Sequence, residues 1–167
     1  YLRAEREADR ARSEAARSEQ VAVLLKDMLS GVGPSVALGR DTTMLREILD
    51  AAAERIGTDL ADQPAVEAEL RRVLASTYRD LGEYDLVPVH AERSLELYRQ
   101  VAGPDDPATL RARHDVGTAR YLLGDLDQAE HDLTAVLEDQ RRVVGTDHPD
   151  VVGSTGSLVE VLLYQGR

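Results

Sequence analysis

The chain has 167 residues, 43% hydrophobic and 31% charged, a composition typical of folded globular proteins and not of disordered chains. Its net charge of −11 disfavours nucleic acid as a partner, because affinity for phosphates depends on Lys and Arg. The sequence contains no Cys, which excludes disulfides and thiolate chemistry, and it has no apolar run approaching the roughly 20 residues that cross a membrane.

Residues 1–30 predict one long helix, because Glu, Arg and Ala dominate and the first helix-breaking residue is Gly31. A seam of small and apolar residues, spaced alternately four and three apart, runs along this helix: Ala4, Ala8, Ala11, Ala15, Ser18, Ala22, Leu25 and Leu29. Since Ala and Ser bury little apolar area, a solvated helix held by ion pairs between Arg and Glu is favoured over a coiled-coil dimer. From Val21 the stripe becomes more apolar, and this part of the helix is expected to pack on another element.

A break at Gly31–Pro34 ends this helix and opens a loop. Neither Lys-Ser nor Lys-Thr follows the glycines, which argues against a phosphate-binding loop. Side-chain oxygens at 41–43 are suited to cap a helix over 44–56, and Gly57 is expected to end it. This helix is predicted to cover the open apolar face of the repeats that follow.

The rest of the chain is organised by a repeat of forty-two residues. The stretch Gly103-Pro-Asp-Asp-Pro107 returns as Gly145-Thr-Asp-His-Pro149, and the same shift brings Gly82, Gly124 and Gly166 into register. A period between about twenty and fifty residues is typical of stacked-repeat proteins. Helix, short turn, helix and short break therefore alternate, and each helix pair is expected to bury its apolar stripe against the next.

The residues of one turn carry a resemblance to a known family. The run Leu123-Gly-Asp-Leu-Asp-Gln-Ala-Glu130, with Val116-Gly117 before it and Val136-Leu137 after it, resembles the tetratricopeptide repeat. The forty-two-residue spacing and the Gly-Pro-Asp-Asp-Pro break are similar to the kinesin-light-chain subtype. The resemblance covers 58–167 and implies an all-α fold, an α-solenoid that winds as a right-handed superhelix.

A looser resemblance concerns the segment before the repeats. Residues 41–63, followed by a first repeat with Leu-Gly-Glu-Tyr84, resemble the region after the kinase domain in some large bacterial serine/threonine kinases. No kinase motif occurs in this sequence, so the resemblance implies a larger bacterial signalling protein as the parent. A cytoplasmic location is favoured, and an extracytoplasmic one would follow if the parent chain carries a transmembrane helix upstream.

The resemblance also defines a candidate binding surface, because the first helices of successive repeats line a concave face in this family. Helical spacing, checked against the family pattern, places ten residues there: Glu69, Arg72, Ser76, Arg79, Arg111, His114, Thr118, Tyr121, Glu160 and Tyr164. A binding groove would hold a carboxylate or backbone carbonyls by Arg and stack on the Tyr rings. The alternative is an ordinary solvated face with helix ion pairs, such as Glu69 with Arg72.

One departure from the kinesin-light-chain subtype argues against a site that holds a peptide by its backbone. Kinesin-light-chain repeats often carry paired Asn residues that hold a peptide backbone, whereas this sequence contains no Asn. The matching places hold Arg72-Val73, His114-Asp115 and Gly156-Ser157.

The sequence does not predict catalysis, a metal or another cofactor. His90, His114, His131 and His148 do not pair at metal-ligand spacing, and His148 is better explained as a helix cap. The Ser residues lack the context of an activated nucleophile.

The sequence thus predicts a long charged helix and loop at 1–41, a capping helix at 42–57 and about two and a half repeats at 58–167. The expected function is non-catalytic binding of a protein or peptide, without nucleic acid or membrane insertion in this part of the chain. The alternative is a structural spacer, in which the N-terminal helix sets the oligomeric state of an attached kinase-like domain. The N-terminal helix and the open C-terminal edge are the two surfaces suited to a homodimer.

Overall fold

The computed structural model describes residues 42–167, so the predicted helix at 1–30 and the loop after it lie outside the described residues. The described part consists of helices without a strand, and it confirms the predicted all-α solenoid. A 3-10 turn at Tyr84–Leu86 stands between the second and third helices. The α-helices are α1 (Thr42–Asp59), α2 (Pro64–Asp80), α3 (Val87–Val101), α4 (Pro107–Leu122), α5 (Leu126–Val144) and α6 (Pro149–Tyr164).

The N-termini of the first helices share one feature. Proline occupies the first turn of α2, α4 and α6, where a missing N–H group costs no helical hydrogen bond. Asp106 caps α4 by accepting a 2.8 Å hydrogen bond from the N–H of Ala108. His148 caps α6 in the same way, with its Nδ1 accepting from the N–H of Asp150 at 3.2 Å.

Glycine ends the first helix of each repeat in a left-handed conformation. Gly82, Gly124 and Gly166 have φ of 79°, 83° and 77°. At Gly124 the following N–H, that of Asp125, returns to the carbonyl of Arg120 at 3.0 Å and closes the helix end. Other residues do not approach the position of a Cβ at Gly124, so a side chain there would be disfavoured by backbone strain and not by a clash.

Two helix boundaries differ from the sequence prediction. Gly57 was expected to end α1, but the helix continues to Asp59 and Gly57 lies inside it. A Cβ at Gly57 would lie 2.8 Å from the guanidinium of Arg71, so this glycine marks a close approach between α1 and α2. The sequence also predicts a second helix of the first repeat from about Tyr84 to Ala102, but its first residues form the 3-10 turn, and Pro88 therefore falls in the first turn of α3.

Apolar stripes hold the helices in a continuous stack. One core cluster joins α1 to α4 and includes Leu49, Tyr78 and Leu97, each at most 3% exposed. A second cluster joins α4, α5 and α6 through Leu110, Leu133 and Val161. Each helix therefore packs on the one before it and the one after it, as the period predicts.

A buried carboxylate joins α2 to α3. Glu67 is 2% exposed and accepts hydrogen bonds from two guanidinium groups, Arg71 Nε at 3.3 Å and Arg93 Nε at 3.2 Å. Because burial of an unpaired charge would be strongly unfavourable, these two guanidinium groups supply the partners that a carboxylate needs inside the stack.

His90 lies next to this carboxylate site and connects α3 to α2. Its Nδ1 lies 3.2 Å from Arg71 NH1, and its ring stacks on Tyr78 with the ring centres 5.1 Å apart. The Tyr78 hydroxyl in turn donates to Asp50 of α1 at 2.6 Å. Arg can only donate, so Nδ1 must be the acceptor and the ring must be neutral. Burial, together with the charge of Arg71 and against that of Asp50, lowers the pKa of His90 to about 4.

We expect Gly124→Val to lower the free energy of unfolding by about 1–3 kcal/mol, because a β-branched residue must then adopt a positive φ. Gly153→Ala is a matched control, since Gly153 lies within α6 with open space around it, and we expect a gain of about 0.5–1 kcal/mol. Urea unfolding of the two variants measures both values. An unchanged stability of Gly124→Val would contradict the turn conformation.

His90 should make the fold less stable as the pH falls. Its pKa is about 4 in the folded chain against an ordinary 6.5, so between these values the unfolded chain binds a proton that the folded chain excludes. The free energy of unfolding should fall through this window by up to about 3 kcal/mol and be unaffected by this group above it. In urea unfolding at several pH values, His90→Gln should make the free energy of unfolding depend less on pH. His131→Gln, at an exposed position, should leave the pH dependence as steep as in the unsubstituted chain.

Candidate functional site: the inner face of the first helices

The predicted site residues lie on α2, α4 and α6, and we call the surface that they form the inner face. The structure brings several of them together with acidic or hydroxyl side chains of the neighbouring repeat. The contacts establish which side chains of this face already have partners.

An ion pair joins the first two repeats across the inner face. Arg72 of α2 donates from Nε to Asp115 of α4 at 2.7 Å and from NH1 to Glu69 at 3.3 Å. Glu69 also accepts a 2.8 Å hydrogen bond from the hydroxyl of Tyr98. Arg72 is therefore held by two carboxylates, and its side chain is 23% exposed.

The electrostatics of this pair favour both charges. Burial opposes the charge of Arg72, but the neighbouring Asp115 and Glu69 raise the pKa of the guanidinium above its ordinary value. Burial likewise opposes the charge of Asp115, but hydrogen bonds from His114 and Arg72 and the positive charge of the guanidinium lower the pKa of its carboxyl. The pair is thus ionised and tightly coupled at neutral pH.

The same contact recurs forty-two residues later between the second and third repeats. His114 Nε2 lies 2.9 Å from the hydroxyl oxygen of Ser157, and its Nδ1 lies 3.4 Å from Asp115. Residues 72 and 114 occupy equivalent places, as do residues 115 and 157. We call these two contacts the inter-repeat rungs. In both contacts the side chains join successive repeats.

The remaining Arg residues of the inner face differ in how firmly they are held. Arg111 of α4 donates to Asp150 of α6 at 3.2 Å, which makes a further link between repeats. Arg79 makes weaker contacts, at 3.2 Å with the hydroxyl of Ser76 and at 3.5 Å with Asp80, and its side chain is 45% exposed.

A small pocket lies beside the first rung, between α2 and α4. Its volume is about 200 Å³. Its lining consists of Arg72, Ala75, Ser76, Arg79, Val87, Asp115 and Thr118. The hydroxyl of Thr118 is buried and makes no hydrogen bond within the described part of the chain. A buried polar atom without a partner is unusual, and here it borders a pocket that a ligand could enter.

An aromatic pair occupies the far end of the inner face. The rings of Tyr121 and Tyr164 meet edge to face with centres 5.4 Å apart. Tyr164 is 73% exposed and its neighbour Leu163 is 66% exposed. Glu160, one turn before Tyr164, is exposed as well. This end of the face is therefore open and largely apolar.

Sequence reasoning missed the partners of the predicted residues. Asp115, Asp150 and Ser157 engage Arg72, Arg111 and His114. The sequence did contain a signal for two of these contacts. Arg72 and Asp115 lie forty-three residues apart, and His114 and Ser157 repeat the same spacing one period later.

The described residues contain no group of three or more His, Cys, Asp or Glu that could hold a metal ion. His90 stacks on Tyr78, His114 forms a rung and His148 caps a helix. Among the helices that the structure describes, none is long and apolar enough to cross a membrane.

Stacked antiparallel helix pairs with one period and repeated polar rungs define a helical-repeat protein. Residues 66–138, which extend from α2 into α5, match the family model of the tetratricopeptide repeat. Residues 66–138 therefore carry tetratricopeptide repeats, as the sequence pattern indicated. Repeats of this family generally mediate protein–protein interaction and are typically non-catalytic. A comparison with curated proteins finds no match for this chain.

Breaking the first rung should destabilise the stack. We expect Asp115→Leu to lower the free energy of unfolding by about 1–3 kcal/mol, because it leaves the largely buried Arg72 without its closest carboxylate. Adding Arg72→Met should restore part of the loss, so the double variant should lose less than the sum of the single variants.

Urea unfolding of the four chains of this cycle measures the coupling. The exposed pair Arg55 and Asp59 supplies the control, and Asp59→Ala should change stability by at most about 0.5 kcal/mol. Additive losses at 72 and 115 would show that the two side chains are not coupled in solution.

Proposed function

We propose that the inner face binds a segment of a partner protein and that the chain acts as a non-catalytic interaction module within a larger bacterial signalling protein. The observation that carries the proposal is the pocket between α2 and α4, where Arg79 is half exposed and the buried Thr118 hydroxyl lacks a partner. The family supports protein binding in general. The signalling context rests on the resemblance of 41–63 to the region after bacterial kinase domains, and a cytoplasmic location goes with it.

Some side chains of the inner face already have partners, and this limits the kinds of ligand group that the face can bind. Arg72 and Arg111 are held by Glu69, Asp115 and Asp150, so they have little left to offer a ligand carboxylate. Arg79 is the cation of the inner face with the weakest contacts among the described residues. A single carboxylate or carbonyl group of the ligand is therefore expected near Arg79, with the Thr118 hydroxyl as a second hydrogen-bonding group.

The other end of the inner face selects an apolar side chain. Tyr164 and Leu163 are exposed beside the ring of Tyr121, and aromatic side chains of this kind are favoured at binding surfaces. If successive first helices are about 10 Å apart, the two ends are separated by about 20 Å, or about six residues of extended chain. The ligand is thus a short extended segment with an acidic or carbonyl group at one end and an aromatic or aliphatic side chain at the other.

A phage-displayed library of random peptides, selected on the full chain, tests the proposal. Enriched peptides should combine an acidic residue with an aromatic or aliphatic residue. Arg79→Ala and Tyr164→Ala should each weaken their binding by at least about tenfold, which is 1.4 kcal/mol. Arg99→Ala is the matched control, because Arg99 is exposed on α3, outside the inner face.

Failure to enrich any peptide, or enrichment of peptides whose binding changes only in the Arg99→Ala chain, would overturn the assignment of the inner face. Binding that is lost in the Arg79→Ala chain alone would keep the polar end and remove the aromatic end. Fluorescence anisotropy of a labelled peptide from the selection, at two salt concentrations, gives the affinities and the ionic share of the binding.

A further inference from the structure

A groove lies between α3 and α5, the second helices of the first two repeats, and we call it the outer groove. Its volume is about 580 Å³, within the range of about 300–1,000 Å³ that is common for ligand pockets. Between the two helices, α4 contributes Arg113, Val116 and Arg120, which are not among the residues of the inner face. Described helices line the outer groove on both sides, so it is an internal feature of the stack.

Two differences between the repeats open the outer groove. Ala135 of α5 stands where the first repeat has Arg93, and Thr109 of α4 stands where it has Glu67. In the first repeat, the guanidinium of Arg93 reaches Glu67 at 3.2 Å and so fills the space beside its helix. In the second repeat, Ala135 lines the groove instead, and the buried Thr109 hydroxyl makes no hydrogen bond within the described part of the chain. The second repeat thus lacks the ionic link that closes the first.

Most charged side chains of the outer groove already have partners. Arg113 donates to Asp139 at 2.6 Å, and Arg120 pairs with Asp132. Glu96 accepts a 2.8 Å hydrogen bond from a guanidinium of its own helix. These side chains offset one another in charge, so they contribute little to the selection of a ligand by its charge.

Two charged side chains of the outer groove remain available. Glu92 and Arg99 are exposed on α3, and neither side chain forms an ion pair or hydrogen bond with another described residue. With Leu95 they are spaced three and four residues apart, so the three side chains lie on one side of the helix. Seven residues of helix rise about 10 Å. An acid and a base therefore stand about 10 Å apart along the groove, with an apolar side chain between them.

We propose that the outer groove docks an extended segment of a partner protein that carries one basic and one acidic side chain on either side of a small apolar residue. The basic side chain pairs with Glu92 and the acidic one with Arg99. The small residue packs on Leu95, Val116 and Ala135. An extended chain covers about 10 Å in three residues, so the two charged residues of the segment are two to four positions apart.

Charge favours a segment with one charge of each sign. The chain has a net charge of −11, so a strongly acidic segment would be repelled. A strongly basic segment would meet the guanidinium groups of Arg99, Arg113 and Arg120 in the groove itself. A mixed segment avoids both penalties and satisfies the two side chains that lack partners.

The size of the opening favours an extended segment over a helix. The outer groove owes its depth at Ala135 to the loss of a single Arg side chain relative to the first repeat. A helix with its side chains is about 10–12 Å wide, whereas an extended chain inserts one side chain at a time. The narrow opening is therefore suited to an extended chain.

A peptide array probed with the full chain tests the proposal. The peptides place one Arg and one Glu two to four residues apart around Ala, in both orders, and matched peptides lack one or both charges. The full chain should bind one order more tightly than the other and more tightly than the uncharged peptides. The double variant Glu92→Arg, Arg99→Glu should prefer the opposite order, because it exchanges the two charges without changing the shape of the groove.

Fluorescence anisotropy with the peptide that binds most tightly gives the affinities of single variants. Glu92→Ala and Arg99→Ala should each weaken binding by about fivefold. Ala135→Arg should weaken it by at least about tenfold, because it restores the side chain that fills this place in the first repeat. Circular dichroism and urea unfolding check that each variant is folded. If Ala135→Arg does not fold, the charge exchange at the two exposed positions still decides the outcome.

Two controls separate the outer groove from other surfaces. Arg141→Ala should leave binding unchanged, because Arg141 is exposed one period after Arg99 and does not line the outer groove. Arg79→Ala, on the inner face, should also leave it unchanged. This second control keeps the test independent of the function proposed for the inner face.

Four results would overturn the proposal. The first is the absence of binding to any peptide of the array. The second is a charge-exchanged chain that keeps the original order of preference. The third is binding that Arg79→Ala removes, which would assign the peptides to the inner face. The fourth is self-association of the chain that Ala135→Arg removes, which would assign the outer groove to a second copy.

Discussion

Every other feature of this structure depends on one constraint, that each amphipathic helix must have its apolar stripe covered by the next helix. Alone, no pair could bury its stripe, so stability is shared between neighbours along the stack. The close approach of Leu133 to Gly117 shows how the constraint is met within a pair, by size matching across two helices. On α6, by contrast, no other described helix covers Val152 and Leu163, and both remain exposed.

Polar contacts determine how successive pairs are aligned on that apolar stack. Apolar packing alone tolerates sliding, whereas the rungs fix which residue of one repeat faces which residue of the next. Arg72 meets Asp115 and His114 meets Ser157, so the same geometry is made with an ion pair in one junction and a hydrogen bond to a hydroxyl group in the other. Side chains that hold repeats together are not available to bind a ligand, so these contacts reduce the number of polar groups that the inner face can offer.

The sequence predicted the architecture well because its signals are local and repeated. The glycines at 82 and 124, the His148 cap and the period of forty-two residues each have a direct physical cause in the backbone. The features that the sequence did not predict correctly depend on tertiary contacts. Gly57 continues α1 because the helix packs against α2, and the burial of Glu67 depends on Arg93, twenty-six residues away. On the inner face, helical spacing indicated the pair of Glu69 with Arg72, but the acids of the neighbouring repeat that pair with Arg72 and Arg111 were not predicted.

The chemical difference between the two rungs has a consequence for the order of the repeats. A tandem copy of the first repeat inserted after itself would place Arg72 opposite the equivalent of Val73, an apolar residue that cannot accept its hydrogen bonds. A tandem copy of the second repeat would place His114 opposite an Asp, which can accept one. Duplication of the second repeat would therefore preserve a hydrogen bond at the new junction, whereas duplication of the first would leave Arg72 with Glu69 as its carboxylate partner.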